Sequence, residues 1–251
     1  MTYALEVRDL AFSYPDGTVA LDGVELVVER GERIAVLGPN GAGKTTLVLS
    51  LNGVNVARRG TVTVEGMTVE RANLREIRRR VGIVFQDPDD QLFMSTVGED
   101  VAFGPANLGL PTADIEARAT EALDAVGMGH AAGRAPHHLS FGERRRVALA
   151  TVLAMRPDVL VLDEPSSNLD PQARRELAEI VLGLGVTTIM VTHDLPYALQ
   201  LCERAVILDG GRIVADGPTA ELLADRDTMA AHRLELPFGF DPAHALRDPR
   251  R

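Results

Sequence analysis

A single cysteine, Cys202, occurs among the 251 residues. No disulfide can close within the chain, which suits a reducing compartment, and a lone cysteine reads first as a small buried apolar residue. Positive charge is also scarce: 26 lysines and arginines face 36 aspartates and glutamates, a formal net charge of −10. A nucleic-acid reader needs a basic surplus on its contact face, so this balance argues against one. Long apolar runs are missing. None approaches the ~18 consecutive residues that a helix needs to cross a bilayer, so a membrane role has to come through a partner. The stretch Met1–Asp9 has no basic flank followed by an apolar segment and reads as a strand, not a signal peptide. Internal repeats and low-complexity tracts are absent as well. The length suits one large domain or two intimately joined lobes, with room for a sizeable core.

Residues 1–33 alternate apolar and polar positions (Leu5, Val7, then Leu21, Val24, Leu26, Val28) between turns at Asp16-Gly17 and Arg30-Gly31-Glu32, the pattern of antiparallel strands. Ile34–Leu37 is a short buried-strand run ending on a glycine-rich turn, with a helix over Thr45–Leu51. Val62, Val64 and Val69 suggest a hairpin around Glu65-Gly66, and Val81–Phe85 another buried strand. Beyond Asp87 the character changes to helices and loops. Ile115–Val126 has helical spacing and stops at Gly127, and Val147–Met155 stops before Arg156-Pro157. The strand runs Val159–Leu162, Thr187–Val191 and Ala205–Leu208 then alternate with helices, which implies a largely parallel sheet covered on both faces. A helix of about ten residues is expected after Gly217, followed by a loosely patterned tail rich in Pro and Arg.

Chemistry concentrates at strand ends. Gly38-Pro39-Asn40-Gly41-Ala42-Gly43-Lys44-Thr45 has the spacing G-x-x-x-x-G-K-[ST] between a strand and a helix. Its glycines let backbone amides turn inward around phosphate oxygens, and the helix start adds its positive dipole end. Lys44 is placed to reach the β- and γ-phosphates and Thr45 to ligate magnesium. Asp163 and Glu164 end an apolar strand, where a parallel sheet lines its ligand crevice. There Asp163 can hold a metal through water and Glu164 can polarise an attacking water; the plain alternative is a solvated strand end. Gln86 ends one strand and His193 another, within reach of the same phosphates, against readings as a polar strand cap and a structural histidine. Ser140 and Glu143 form an S-x-x-E capping box, so Leu139–Glu143 opens a helix whose free amides also suit an anion. Arg144-Arg145-Arg146 follow in the first turn, where the helix dipole disfavours cations, and read as solvating residues or partners of acids elsewhere. His130, His137 and His138 lie in a loop without a ligand set, which rejects a metal site there. No Asn-Lys-x-Asp guanine-reading segment occurs, which disfavours a GTPase.

Taken in order, these segments resemble the ATP-binding subunit of ABC transporters over residues 1 to about 220. Gly38–Thr45 matches Walker A, Gln86 the Q-loop, Leu139–Glu143 the signature, and Val159–Glu164 Walker B. Ser167-Asn168-Leu169-Asp170 matches the D-loop and His193 the switch histidine, while Tyr14 looks like the aromatic that stacks on adenine. Gln86–Phe93 with Thr96–Pro105, and the segment Leu234–Phe238, are similar more narrowly to energy-coupling factor transporters, particularly their cobalt-importer ATPases. Two positions depart from the commoner Leu-Ser-Gly-Gly-Gln signature: Phe141 replaces its first glycine and Glu143 its glutamine.

The resemblance implies an α/β fold of P-loop NTPase (RecA-like) type: a mainly parallel sheet, an N-terminal antiparallel β subdomain and a helical signature subdomain. Residues 1–240 would form one ABC ATPase domain. Its nucleotide-binding core with the β subdomain takes 1–86 and 158–217, its helical subdomain 87–157, and a short C-terminal helix and tail 218–251. ATP and Mg2+ are the implied cofactors. Glu164, His193 and Lys44 would be catalytic; Tyr14, Gly38–Thr45, Thr46 and Gln86 would bind ATP; Thr45, Gln86 and Asp163 would hold the metal. Ser140, Phe141, Gly142 and Glu143 would close the ATP held by a partner subunit, in a homodimer or with a paired paralogue. Gln91, Leu92 and Phe93 would grip a transmembrane coupling subunit, which works with a substrate-binding membrane subunit at the cytoplasmic face of the cell membrane. Cobalt is the first expected substrate, then nickel, then a vitamin such as biotin. Another ABC transporter branch is an alternative, and a soluble ABC ATPase of DNA repair or translation a distant one.

Overall fold

The structure, a computed structural model, describes residues 3–242. The first two residues of the expected N-terminal strand and residues 243–251 of the expected tail lie outside the described residues. Strands β1 (Leu5–Ser13) and β2 (Val19–Val28) form an antiparallel pair from Leu5 opposite Val28 to Ser13 opposite Val19, with register shifts between Val7 and Leu10, Leu10 and Ala11, and Phe12 and Ser13. Strand β3 (Arg33–Leu37) runs into the glycine-rich turn and helix α1 (Lys44–Leu51). The short hairpin β4 (Arg59–Val64) and β5 (Met67–Thr68) returns to pair with β1, completing a four-stranded antiparallel sheet in the order β2-β1-β4-β5. Helix α2 (Leu74–Arg80) then leads directly into β6 (Val81–Val84).

Three helices follow: α3 (Val97–Asn107), α4 (Thr112–Ala125) and α5 (Phe141–Leu153). Thr96 and Glu99 form a capping box at the start of α3, as Ser140 and Glu143 do at the start of α5. The chain returns through β7 (Val159–Asp163), α6 (Pro171–Gly183), β8 (Thr187–Val191), α7 (Leu195–Leu201) and β9 (Arg204–Asp209) to the antiparallel edge strand β10 (Arg212–Pro218). The second sheet has the order β10-β9-β3-β8-β7-β6, parallel except for its β9–β10 pair. The expected α/β class, with a mainly parallel sheet and an antiparallel β layer, is the observed one.

The central strands are buried on both faces, so their middles are apolar and alternate residues feed different cores. Ile34 and Val36 of β3, with Val159 and Val161 of β7, join the core shared with the antiparallel sheet. Ala35, Leu37, Leu160 and Leu162 join the core under the helices. Cys202 packs into that helical core, where burial pushes its thiol up to about 12. A thiol so protonated is inert packing material.

Two expectations need correction. The single helix of about ten residues expected after Gly217 is two helices, α8 (Thr219–Ala224) and α9 (Arg226–Ala231). Asp225 interrupts them: its carboxylate accepts from the amides of Asp227 and Thr228, each at 3.1 Å, and so starts a new helix instead of continuing the old one. The strand expected over Val81–Phe85 ends at Val84. Phe85 leaves the ladder because its amide donates to Gln91 Oε1 at 3.2 Å and its carbonyl accepts from Arg145.

Candidate active site

A cleft of about 390 Å³ opens at the carboxyl ends of β3 and β7, lined by Asn40–Thr46, Tyr14, Gln86, Asp163 and Glu164, with Thr18–Ala20 and Val191 at its sides. The turn Gly38–Gly43 is held by close backbone approach. A Cβ on Gly38 would lie 2.1 Å from the Leu208 carbonyl oxygen, and one on Gly43 2.4 Å from that of Ala20. Both glycines also have positive φ, 149° and 103°, so no other residue fits without moving the backbone. Gly43 caps α1 with no side-chain acceptor, leaving the first amides of that helix for an anion. Lys44 Nζ folds back onto the turn, donating to the carbonyls of Gly38 (2.6 Å) and Pro39 (3.0 Å). Burial lowers the Lys44 pKa, opposed by the nearby charges of Glu164 and Asp163. Asp163 is displaced the other way: burial and then Glu164 raise its carboxyl, against the pull of Lys44 and Arg145. Two carboxylates and one ammonium thus share a cleft that anionic phosphates and a cation would complete.

Glu164 follows β7 in the left-handed region, φ 46°, a strained placement for a residue with a side chain. The strain is held by its surroundings. Its amide donates to Val191 O at 2.8 Å, and its Oε2 accepts from Thr192 Oγ1 (3.1 Å) and the His193 amide (3.3 Å). Its Oε1 lies 2.8 Å from His193 Nδ1, so β7 and β8 bring the strand-end acid and the strand-end histidine together. The His193 side chain is otherwise 68% exposed, free to meet something arriving from outside. Tyr14 presents its ring at the cleft rim, edge-on to Phe12, and its hydroxyl is within 2.8 Å of Thr46 Oγ1.

The signature residues lie elsewhere. Ser140 Oγ accepts from the Glu143 amide (3.3 Å) and Glu143 Oε2 from the Ser140 amide (2.7 Å), yet none of Ser140, Phe141, Gly142 and Glu143 lines the chain's own cleft. Gly142 has a second reason to be glycine: a Cβ there would sit 2.8 Å from the Ala173 Cβ on α6. In the segment Ser167–Asp170, Asn168 takes positive φ (61°), Leu169 packs against the helical core, and Asp170 caps α6 through two bonds of 2.9 Å. Of the three residues expected to grip a membrane partner, Gln91 turns inward. Its Nε2 donates to Ala148 O (2.8 Å) and Thr151 Oγ1 (2.6 Å) on α5, and Leu92 packs against the helical core. Phe93 is 63% exposed and stands edge-on to Phe103.

Three residues escape a reading of the sequence alone. Thr192 clamps Glu164 through its hydroxyl. Asp194 gathers Ser166 Oγ (2.9 Å), Arg174 (2.9 Å) and the Tyr197 amide (3.1 Å), fixing the loop after Glu164 to α7; an aspartate just before Leu195-Pro196 is a helix-start signal that could have found it. Arg145 is almost wholly buried.

A family model for ABC transporters matches residues 21–167. An energy-coupling factor transporter ATP-binding protein of Methanothermobacter thermautotrophicus is 49% identical over 248 residues, 97% of this chain and 80% of the relative. Among solved structures, cbiO1 from Clostridium perfringens, part of the ABC transporter complex cbiONQ, superposes with a TM-score of 0.83 at 38% identity, covering 94% of this chain and 97% of that one. The ATP-binding cassette MJ0796, in a dimeric post-hydrolysis state with ADP and Pi, gives 0.76 at 26% identity over 86% and 98%. The chain belongs to the ABC transporter family, as an ATP-hydrolysing, ATP-binding subunit of the energy-coupling factor type.

Proposed function

We propose that this chain is the motor of a cobalt-importing energy-coupling factor complex, working as a dimer that closes on ATP at the cytoplasmic face of the cell membrane. The observation that carries the mechanism is the fixation of Glu164 beside the phosphate-binding turn, with both carboxylate oxygens engaged by β8 and its His193 corner. A carboxylate so oriented takes a proton from water in line with the γ-phosphate, with the exposed His193 side chain standing beside it. Lys44 and the amides of Gly41–Thr45 meet the phosphate charge, and Tyr14 offers its ring to the base. The donors in the cleft suit magnesium: the hydroxyl of Thr45, the carboxamide of Gln86 and the carboxylate of Asp163 are hard oxygen ligands. Asp163 is also a half-buried acid beside another acid, which a cation relieves. Held by Thr45, Gln86 and Asp163, magnesium would supply positive charge against the phosphates.

Dimerisation supplies what the single cleft lacks. The helix start at Ser140 has free amides and a serine, and lies outside its own subunit's cleft, so it serves a phosphate held by a second subunit. A mixed dimer tests this. With Glu164→Gln silencing one subunit, Ser140→Ala in that silenced subunit is expected to slow hydrolysis by the active one about 10-fold or more, the worth of a charge-assisted hydrogen bond. Ser140→Ala in the active subunit should have little effect. The lost helix cap costs about 1 kcal/mol in both arrangements and cancels. Damage only when the two changes fall in different subunits would overturn the sandwich.

The cobalt reading is supported by the segments Gln86–Phe93 and Leu234–Phe238 and by the likeness to cbiO1. No helix among the described residues is long and apolar enough to cross a membrane, so translocation needs partner subunits. Cells expressing this chain with the membrane proteins that co-purify with it should take up labelled Co2+ in an ATP-dependent way. Uptake of Ni2+ or biotin in preference to Co2+ would overturn the substrate and leave the motor.

A further inference from the structure

Arg145 stands one turn into α5 and is 1% exposed, between two arginines that have ordinary partners. Arg144 pairs with Asp89 at 3.0 Å and Arg146 with Glu176 at 3.2 Å, both at the margins of the helix. Arg145 instead points into the protein and spends its donors on backbone. Its Nη1 donates to Phe85 O at 2.7 Å and its Nη2 to Ser167 O at 3.4 Å, while Nε has no partner. The guanidinium lies 5.4 Å from the centroid of the Phe141 ring, the residue that stands where the commoner signature has glycine. Burial works against its charge, and Asp87, Asp163 and Glu164 work for it. Packing alone does not call for such a residue, because an apolar side chain of similar volume fills the space without the desolvation cost.

The two carbonyls are the informative part. Phe85 immediately precedes Gln86, which lines the ATP cleft, and a fixed Phe85 carbonyl fixes the peptide plane that carries Gln86. Ser167 opens the segment matched to the D-loop, and its amide donates to Glu164 O at 3.2 Å. One guanidinium therefore ties the signature helix to the backbone before the γ-phosphate-sensing glutamine and to the backbone after the proposed base. Its planar fork can hold two acceptors in fixed directions, which an ammonium cannot do.

We propose that Arg145 is a positioning residue for hydrolysis, coupling movement of the signature helix to Gln86 and to the Ser167–Asp170 segment, with Phe141 as the aromatic that clamps it. The inference rests on the functional reading above. It also gives the departure at Phe141 a role, since the ring covers the guanidinium within its own subunit while its helix start serves the other.

The test separates positioning from folding through the split between ATP affinity and turnover. Arg145→Met keeps most of the volume and removes both donors. Its kcat is expected to fall on the order of 10- to 100-fold, the usual cost of misplacing catalytic groups, while the dissociation constant for a non-hydrolysable ATP analogue stays within about 3-fold. Arg145→Lys should recover part of the loss, and Arg146→Met on the same helix should leave kcat at the parental value. Turnover within about 2-fold of the parent in Arg145→Met, or affinity falling in step with kcat, would overturn the proposal. If Arg145→Met fails to fold, Arg145→Lys decides by the same two measurements. Parental activity that Glu164→Gln abolishes shows that the functional reading stands, so failure of the Arg145 result is then failure of this inference alone.

Discussion

Glu164→Gln is expected to bind ATP with near-parental affinity, to lose turnover by about 10²- to 10⁴-fold, the usual contribution of a positioned general base, and to accumulate as a nucleotide-dependent dimer. The geometry predicts why the change is so selective. The amide of glutamine is isosteric, so its oxygen can still accept from Thr192 Oγ1 and the His193 amide, which lie 3.1 and 3.3 Å from Oε2. The other position becomes an NH2 group facing His193 Nδ1, 2.8 Å from the present Oε1. The imidazole must then accept at Nδ1 where it now donates, which a change of tautomer supplies. The strained backbone at φ 46° and the bond from its amide to Val191 O are unaffected. Structure and phosphate binding therefore survive, and the proton acceptor is gone. Single-turnover hydrolysis and size-exclusion chromatography with ATP check both halves of the expectation. Hydrolysis within about 10-fold of the parent would remove Glu164 from the role of base.

Much of this architecture is short-range and hence legible in the chain. The apolar runs Ile34–Leu37 and Val159–Leu162, short, rich in Val and Ile and bounded by turn residues, read as strands buried on both faces, and their alternate side chains do feed two separate cores. The phosphate-binding turn and the capping box at Ser140 are local too, since each is decided by residues within eight positions of one another. What resists reading is set by distant neighbours. Helix α3 contains Gly98, Gly104 and Pro105, which argue against a helix on propensity. The first two of these are small because other chain segments press on them: a Cβ at Gly104 would meet Met155 Sδ at 2.4 Å, and one at Gly98 the Ala132 carbonyl at 3.1 Å. Gln91 has the look of an exposed contact residue, and only the fold reveals that α5 consumes its amide.

Arg145 lies between these cases. A run of three arginines invites the reading of a solvated helix face. Arg145, Ala148, Leu149 and Val152 are spaced i, i+3, i+4 and i+7 and all are buried, but Arg146 precedes Leu149, Ala150 and Leu153 at the same spacing, so helical periodicity alone does not single out Arg145. Its partners, Phe85 and Ser167, are remote in sequence and could not be named from it. The same holds for the site as a whole. Strand ends brought the acids, the glutamine and the lysine to one cleft predictably, whereas the residues that fix their orientation, Thr192 and Asp194, act through contacts that only the folded chain creates.

Lys44→Met should lower ATP affinity by about 10²-fold or more while leaving the nucleotide-free protein at least as stable as the parent. The two halves have different causes. In the nucleotide-free cleft the ammonium is satisfied by the carbonyls of Gly38 and Pro39, both of its own loop, and burial holds its pKa below the ordinary lysine value. A lysine whose folded pKa is lowered releases protons on folding, so its charge weakens the fold at every pH below that folded pKa. The penalty fades only as pH rises through the folded pKa toward the unfolded one, in the alkaline range. Methionine, of similar length and without the charge, removes the penalty, at the cost of two carbonyls that lose a donor in a cleft open to water. ATP reverses the balance. Phosphate oxygens offer the ammonium charge-assisted hydrogen bonds of about 1.5–3 kcal/mol each, and two of them account for the expected loss of affinity. Calorimetric titration with ATP and urea denaturation without it measure the two halves independently. A nucleotide-free variant clearly less stable than the parent would mean that Lys44 braces the loop, and unchanged affinity would mean that the Gly38–Thr45 amides hold the phosphates without it.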